Sequence, residues 1–514
     1  MNSSATTRRT LRDYPIRRVA RVTIEFTTAF HAGSGRAGED VDALVVTDAN
    51  GLPAIPGSSL AGALATAFAA RIGESSDNER KHGQTRTGGL FGWQQKAKGQ
   101  GSRLHVSWGC LHNARGFPVE GILTEAELVG DPVLSLARRV TARDHVALGH
   151  RGATEGGRRL KFDEQPCAAG HRFTFELELT DTEPGRSDWE AVLRCFGQAD
   201  VRLGGRTRRG YGGFRVVAMQ QRSYDLRLNQ GFDEFAARPI GLGAALPGAR
   251  PFVTPASGER LEVWVTLNPL GWWLFGAGVG EADMEPVCGD RIEWASDDAN
   301  APVKAVRTGL VLVPGSAVKG ALSHRIAFHH NRLDGCWANR IAPDDRPGND
   351  ARWLRAQADK KLEAFTGQNN KAVRCLFGQG KTGSLGQRGR VLLNDALLVD
   401  PGGAFLPHVA IDRFTGGTLG GALFSESPRW RGGPFELKFT VLQPEQLPSL
   451  ARQALHAALT DLVEARLPIG GGAMRGRGFC RGELVWQHFG PGGATELTGD
   501  RLEQWLKQSP PKPR

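Results

Sequence analysis

The sequence predicts an α+β protein written twice, as two ferredoxin-like (RRM-like) domains in tandem. Three observations carry that expectation. The string Pro-Gly-Ser-x-x-x-Gly-Ala-Leu occurs as Pro56 to Leu64 and again as Pro314 to Leu322, offset by about half of the 514 residues, which marks duplicated domains rather than a solenoid. Other landmarks recur in the same order: Leu90-Phe91-Gly92 with Leu376-Phe377-Gly378, His145-Val-Ala-Leu148 with His408-Val-Ala-Ile411, and Phe162, Glu164, Pro166 with Phe424, Glu426, Pro428. Phe175-Glu-Leu177 matches Phe435-Glu-Leu437, and the glycine-rich segment 203–213 matches 469–479. Finally, each half alternates between strand and helix periodicity in the order strand, helix, strands, helix, strand.

In the first repeat, the run Val19-Ala-Arg-Val-Thr-Ile-Glu-Phe26 predicts a half-buried strand. A loop rich in glycine and acid follows from His31 to Asp42. Pro56-Gly57 stops the extended chain, and Ser58 or Ser59 is placed to cap a helix whose apolar face is Leu60, Ala63, Leu64, Ala67 and Phe68. Strands are expected over 104–110 and 172–179, a helix over 189–196 and a last strand over 214–219. That order gives an antiparallel sheet with helices over one face. The second repeat retraces it with strand 261–267, helix 316–331, strands 391–397 and 435–441, helix 450–462 and strand 483–488. The domains are then 18–222 and 259–490, separated by a linker, 223–258, rich in Gly, Pro and Ala. A charged surface insertion is expected at about 332–372, with a short helix near 352–365. Residues 491–514 read as a tail, disordered over 509–514.

Composition bounds the function. Seven scattered cysteines without a Cys-x-x-Cys pair suggest neither a disulfide framework nor a zinc knuckle, and fit reduced thiols in the cytoplasm. The basic start lacks an apolar core of the secretory kind, and no later run approaches a membrane span, so no membrane partner is expected. The chain carries net charge +11, and arginine concentrates at 202–215 and 466–481, the same place in both repeats. A polyanionic partner is thereby permitted.

Gly33-Ser-Gly-Arg-Ala-Gly38 matches the dinucleotide fingerprint by letter but does not open a helix, so no nucleotide cofactor is expected. The later glycine-rich segments differ in kind. Glycine exposes backbone N–H groups there, and Arg206, Arg208, Arg209, Arg475 and Arg477 flank them, which suits phosphate oxygens; a tight turn with solvated arginines is the alternative. Asp42 lies in the first glycine loop, and matching Gly33-Ser-Gly35 with Gly276-Ala-Gly278 sets Asp283 opposite it. A carboxylate beside RNA can bind Mg²⁺ or accept a proton from a ribose hydroxyl, although a loop aspartate can equally cap a turn. The recurring His145 and His408 read as strand-edge residues rather than an acid–base pair.

The Gly-rich first loop, Pro-Gly-Ser-x-x-x-Gly-Ala, Leu-Phe-Gly and the late Gly-Gly-x-x-x-Arg-Gly-x-Gly segment together resemble the RAMP superfamily of CRISPR proteins, most closely the backbone subunits of type III effector complexes. The resemblance implies two RAMP domains, each with a thumb hairpin, around 143–162 and 408–424, that splays a guide–target duplex. It implies CRISPR RNA, target RNA and other effector subunits as partners, with Ser58, Ser59, Ser316 and Lys319 beside the arginine loops as RNA contacts. It also implies metal-dependent endonuclease activity supported by Asp42 and Asp283, with Mg²⁺ or Mn²⁺ bound transiently and no zinc. Two other functions stay open: a non-catalytic RNA scaffold, and a ribonuclease that processes the CRISPR transcript through a histidine.

Overall fold

The computed structural model describes the chain except residues 1–13, 39–40, 75–84, 96, 147, 149–160, 183–187, 255–257, 277–280, 337–361, 364, 383–384, 491–492 and 512–514. The expected short helix near 352–365 and the end of the tail therefore lie largely outside the described residues.

Each repeat centres on one long strand, Ile16–Phe26 in the first and Arg260–Pro269 in the second. In the first sheet the order from edge to edge is Leu104–Val106, Arg172–Asp181, Ile16–Phe26, Phe214–Asp225 and Arg250–Pro251. The second sheet runs Val391–Leu393, Phe435–Leu442, Arg260–Pro269, Cys480–Gly490 and Gly493–Glu496. All these pairings are antiparallel, and they place Val22 opposite both Phe175 and Met219, and Val263 opposite both Phe439 and Trp486. The helix Gly57–Arg71 lays Leu60, Leu64 and Phe68 on Val22 and Ile24, joined by Trp189 and Val192 of the helix Asp188–Arg194. Gly315–Leu333 and Ser449–Val463 do the same for the second sheet through Val318, Leu322, Leu455 and Leu459.

Several expectations are corrected. The first strand is buried along nearly its whole length, not half-buried, because the supposed linker covers its second face. Arg21 crosses that face: its Nε is 2.9 Å from Glu176 Oε2 and its guanidinium donates to the carbonyls of Pro239, Gly241 and Ala244. Tyr224 and Leu246 pack there on Val19, and the segment includes a helix, Asn229–Ala236. The supposed tail adds an edge strand and then a helix, Gly499–Lys507, that buries Trp505 and Leu506 in the second core. Neither Ser58 nor Ser59 caps the first helix; Pro56 is the cap residue and both serines are exposed in the first turn.

The long stretch between Asp283 and Pro314 is a β-arm, Cys288–Trp294 paired with Val303–Val313. The arm reaches onto the first repeat, where Ile292 N–H donates to Ala169 O at 2.9 Å and Trp294 Nε1 to Gly170 O at 2.7 Å. Val133 and Leu136 close a small apolar cluster with Ile292 and Trp294.

Candidate nucleic-acid interface

Asp42 and Asp283 hold equivalent positions. Four residues beyond each, a backbone rung ties the loop to the chain: Val46 N–H to Ala32 O and Val287 N–H to Phe275 O, both at 2.7 Å. Each aspartate also faces the second strand of a hairpin. The hairpins are Arg143–Val146 with Lys161–Glu164, and Leu406–Ile411 with Thr418–Glu426. Asp42 N–H donates to Asp163 Oδ1 at 2.5 Å, and Asp163 N–H returns a bond to Asp42 Oδ2 at 3.2 Å. In the second repeat Ser425 replaces Asp163, and its N–H and Oγ both donate to Asp283 Oδ2, at 2.6 and 2.9 Å. Those bonds hold the Asp283 carboxyl below its usual range, hence ionised.

Immediately after Asp163 and Ser425 stand two buried glutamates, Glu164 and Glu426. His145 Nε2 lies 3.0 Å from Glu164 Oε1 and Arg206 Nε 2.7 Å from Oε2. His408 Nε2 lies 3.0 Å from Glu426 Oε2, and Arg475 and Arg477 both pair with Glu426. Each histidine stacks on the phenylalanine opposite it, Phe162 or Phe424, with centroids 5.0 Å apart. Burial raises the carboxyl of Glu164, but the bonds from His145 and Arg206 prevail and bring it down to about 2. A buried carboxylate thus ties each glycine-rich loop to the foot of its hairpin. The loops turn tightly beneath: a Cβ at Gly212 would lie 2.1 Å from Leu203 O, and one at Gly478 2.0 Å from Ile469 O.

Of the sequence-selected arginines, Arg206, Arg475 and Arg477 are therefore already paired, whereas Arg208 and Arg209 are not: buried Nη1 and Nη2 of Arg208 and Nη1 of Arg209 have no hydrogen-bond partner. The fold brings Lys319 of the other repeat beside them, its Nζ 3.4 Å from Arg208 O. Burial, with Arg209 and Arg208 close by, pushes Lys319 down to about 8. Arg208 falls to about 9 through burial and the charges of Arg388 and Arg202. Crowded, desolvated cations of this kind favour an anion between them. Ser316 is half-buried in the first turn of the same helix as Lys319, while Ser58 and Ser59 mark the exposed counterpart in the first repeat.

Asp163, Ser425, Arg202 and Arg388 escaped the sequence reading. The recurring Phe-x-Glu-x-Pro string pointed at the first two, since it brackets them. Among the described residues no group of three or more His, Cys, Asp or Glu side chains is placed to hold a metal. No described helix is long and apolar enough to cross a membrane.

The chain is thus a duplicated α+β protein with a basic seam between its repeats and a hairpin-bound aspartate in each. The RAMP superfamily model matches residues 23–215 and 297–481, well over half of the chain, and the protein belongs to that superfamily. It is accordingly a CRISPR-associated RNA-binding subunit, of a family that works in complexes with RNA and other subunits. No curated protein matches the chain.

Proposed function

We propose that this chain is a double backbone subunit of a type III CRISPR effector, holding CRISPR RNA and cutting complementary target RNA at two sites with Mg²⁺ or Mn²⁺. The equivalence of Asp42 and Asp283, each locked against the second strand of a hairpin, carries the reading. The strand order last, first, third, second, with two helices on one face, supports a ferredoxin-like build for both repeats. The second hairpin exposes Ile411, Phe414 and Leu423, which suits a thumb that wedges between bases.

The donor chemistry fits a hard cation. Mg²⁺ takes one or two carboxylates and completes its shell with phosphate and water. In the first repeat Asp42 and Asp163 would hold it; in the second, Asp283 with the Ser425 hydroxyl nearby. When bound, the ion would stabilise charge developing on the scissile phosphate. Asp163 N–H and the Ser425 donors fix the aspartate orientation, and Arg208, Arg209 and Lys319 would neutralise RNA phosphates and set the strand's register.

In the assembled complex, Asp42→Ala should remove one cleavage product and Asp283→Ala the other, each slowing its cut by about a hundredfold or more, with target binding retained. Unchanged products from both variants would overturn the assignment. A scaffold role for the second repeat alone is favoured by one observation: Asp283 lacks the second carboxylate that Asp42 has in Asp163. On that reading only Asp42→Ala changes the products.

A further inference from the structure

A cluster of cations lies where the helix Gly315–Leu333 meets the arginine loop of the first repeat. Lys319 differs there from other lysines. Lys161, Lys438 and Lys507 each have a carboxylate beside them, Asp144 at 3.5 Å, Glu262 at 2.8 Å and Glu503 at 3.0 Å. Lys319 Nζ has instead a carbonyl, Arg208 O at 3.4 Å, and the Phe377 ring, its centroid 5.3 Å away. Its charged neighbours are Arg209 and Arg208. Among the described residues, the buried Nη1 and Nη2 of Arg208 and Nη1 of Arg209 have no hydrogen-bond partner. The other two arginines of the cluster are engaged, Arg202 with Asn394 Oδ1 at 2.5 Å and Arg388 with Asp200 O at 3.3 Å.

Spare guanidinium donors thus stand beside an amine, and the two have complementary chemistry. Guanidinium N–H groups take phosphate oxygens. An amine out of water and surrounded by cations gives up its proton readily. At pH 8 about half of Lys319 carries a free lone pair, against about one in three hundred of an ordinary lysine at 10.5. A reagent in which a phosphate is joined to an acyl carbon engages both features at once.

We propose that Lys319 of the RNA-free chain is an acylation site whose donor is an acyl phosphate, held through its phosphate by Arg208 and Arg209. The Nζ lone pair attacks the acyl carbon and forms the C–N bond. The C–O bond to the phosphate breaks with its electron pair on the leaving oxygen, and the proton lost by nitrogen passes to that phosphate. The products are an uncharged amide and hydrogen phosphate. Acylation deletes one cation from the seam and so weakens its hold on a polyanion. None of this depends on RNA cleavage.

Acetylation of the full RNA-free chain at pH 8, followed by peptide mass spectrometry, tests the proposal with two donors: acetyl phosphate, and p-nitrophenyl acetate, which carries no phosphate. With acetyl phosphate, Lys319 should react about tenfold or more faster than Lys161 and Lys507, although those side chains are 71% and 72% exposed. In Arg208→Ala and in Arg209→Ala the ratio of the two donors' rates at Lys319 should fall about fivefold or more. That ratio cancels any change in the protonation of the lysine itself, and the same ratio at Lys161 and Lys507 should stay constant. A Lys319 no faster than the exposed lysines, or a donor ratio unchanged in both variants, would overturn the proposal.

Discussion

A Cβ at Gly57 would lie 2.2 Å from the carbonyl oxygen of Val106, and one at Gly315 would lie 3.1 Å from that of Asn394. The repeated Pro-Gly-Ser string thus records a helix that begins close against the end of a strand, with no room for a side chain at Gly57 and little at Gly315. The string was legible in the sequence; its cause was not, because the strand involved lies far along the chain. The same holds for Asp395, which carries no motif, yet pairs with buried Arg143 and accepts Gly315 N–H at 2.7 Å. Replacing Asp395 by alanine leaves a buried guanidinium without its counter-charge, a change that costs about 3 kcal/mol. Urea unfolding should register that loss, and Asp395→Asn, which keeps an acceptor for Gly315, should lose less.

Core strands and helices announced themselves by periodicity, and some bounds differ from the sequence reading by a residue, as 435–441 became Phe435–Leu442 and 450–462 became Ser449–Val463, whereas 391–397 splits into Val391–Leu393 and Ala396–Leu398 of different sheets, 104–110 stops at Val106 and 214–219 runs on to Asp225. Segments rich in glycine, proline and charge did not. Their burial depends on a few anchors that composition hides, as Arg21 shows for 239–244 and Trp505 for the final helix. Arg452 Nη1 donates to Trp505 O at 2.6 Å while its guanidinium lies 5.0 Å from the indole. Trp505→Ala should lower the stability of the second repeat by about 3 kcal/mol, read as a shift of its denaturant midpoint with the first repeat unchanged. A free tail would give no shift.

Two apolar cores, one per repeat, support the whole molecule, and buried titratable groups make the first of them sensitive to acid. Burial, with the charge of Arg172, holds His112 down to about 4, and burial alone holds His171 down to about 3. Both are neutral in the fold, while the unfolded chain takes up their protons below the ordinary value of 6.5. The unfolded state therefore binds more protons as pH falls from 6.5 towards 3, and stability declines across that window. Glu164 adds a loss between its ordinary 4.5 and about 2. Calorimetry from pH 7 to 4 should show the first repeat melting progressively lower, and His171→Phe should flatten that trend; a pH-independent transition would contradict it. The β-arm adds a different constraint. Arg172 is fully buried in the first repeat, but its two terminal nitrogens donate to Asp298 O and Ser296 O, carbonyls supplied by the second repeat, at 2.6 and 2.9 Å. Separating the halves would strip these acceptors from Arg172 and open its side of the first sheet to water, leaving Glu25 as its partner. The arm of the second repeat is in this way a structural part of the first.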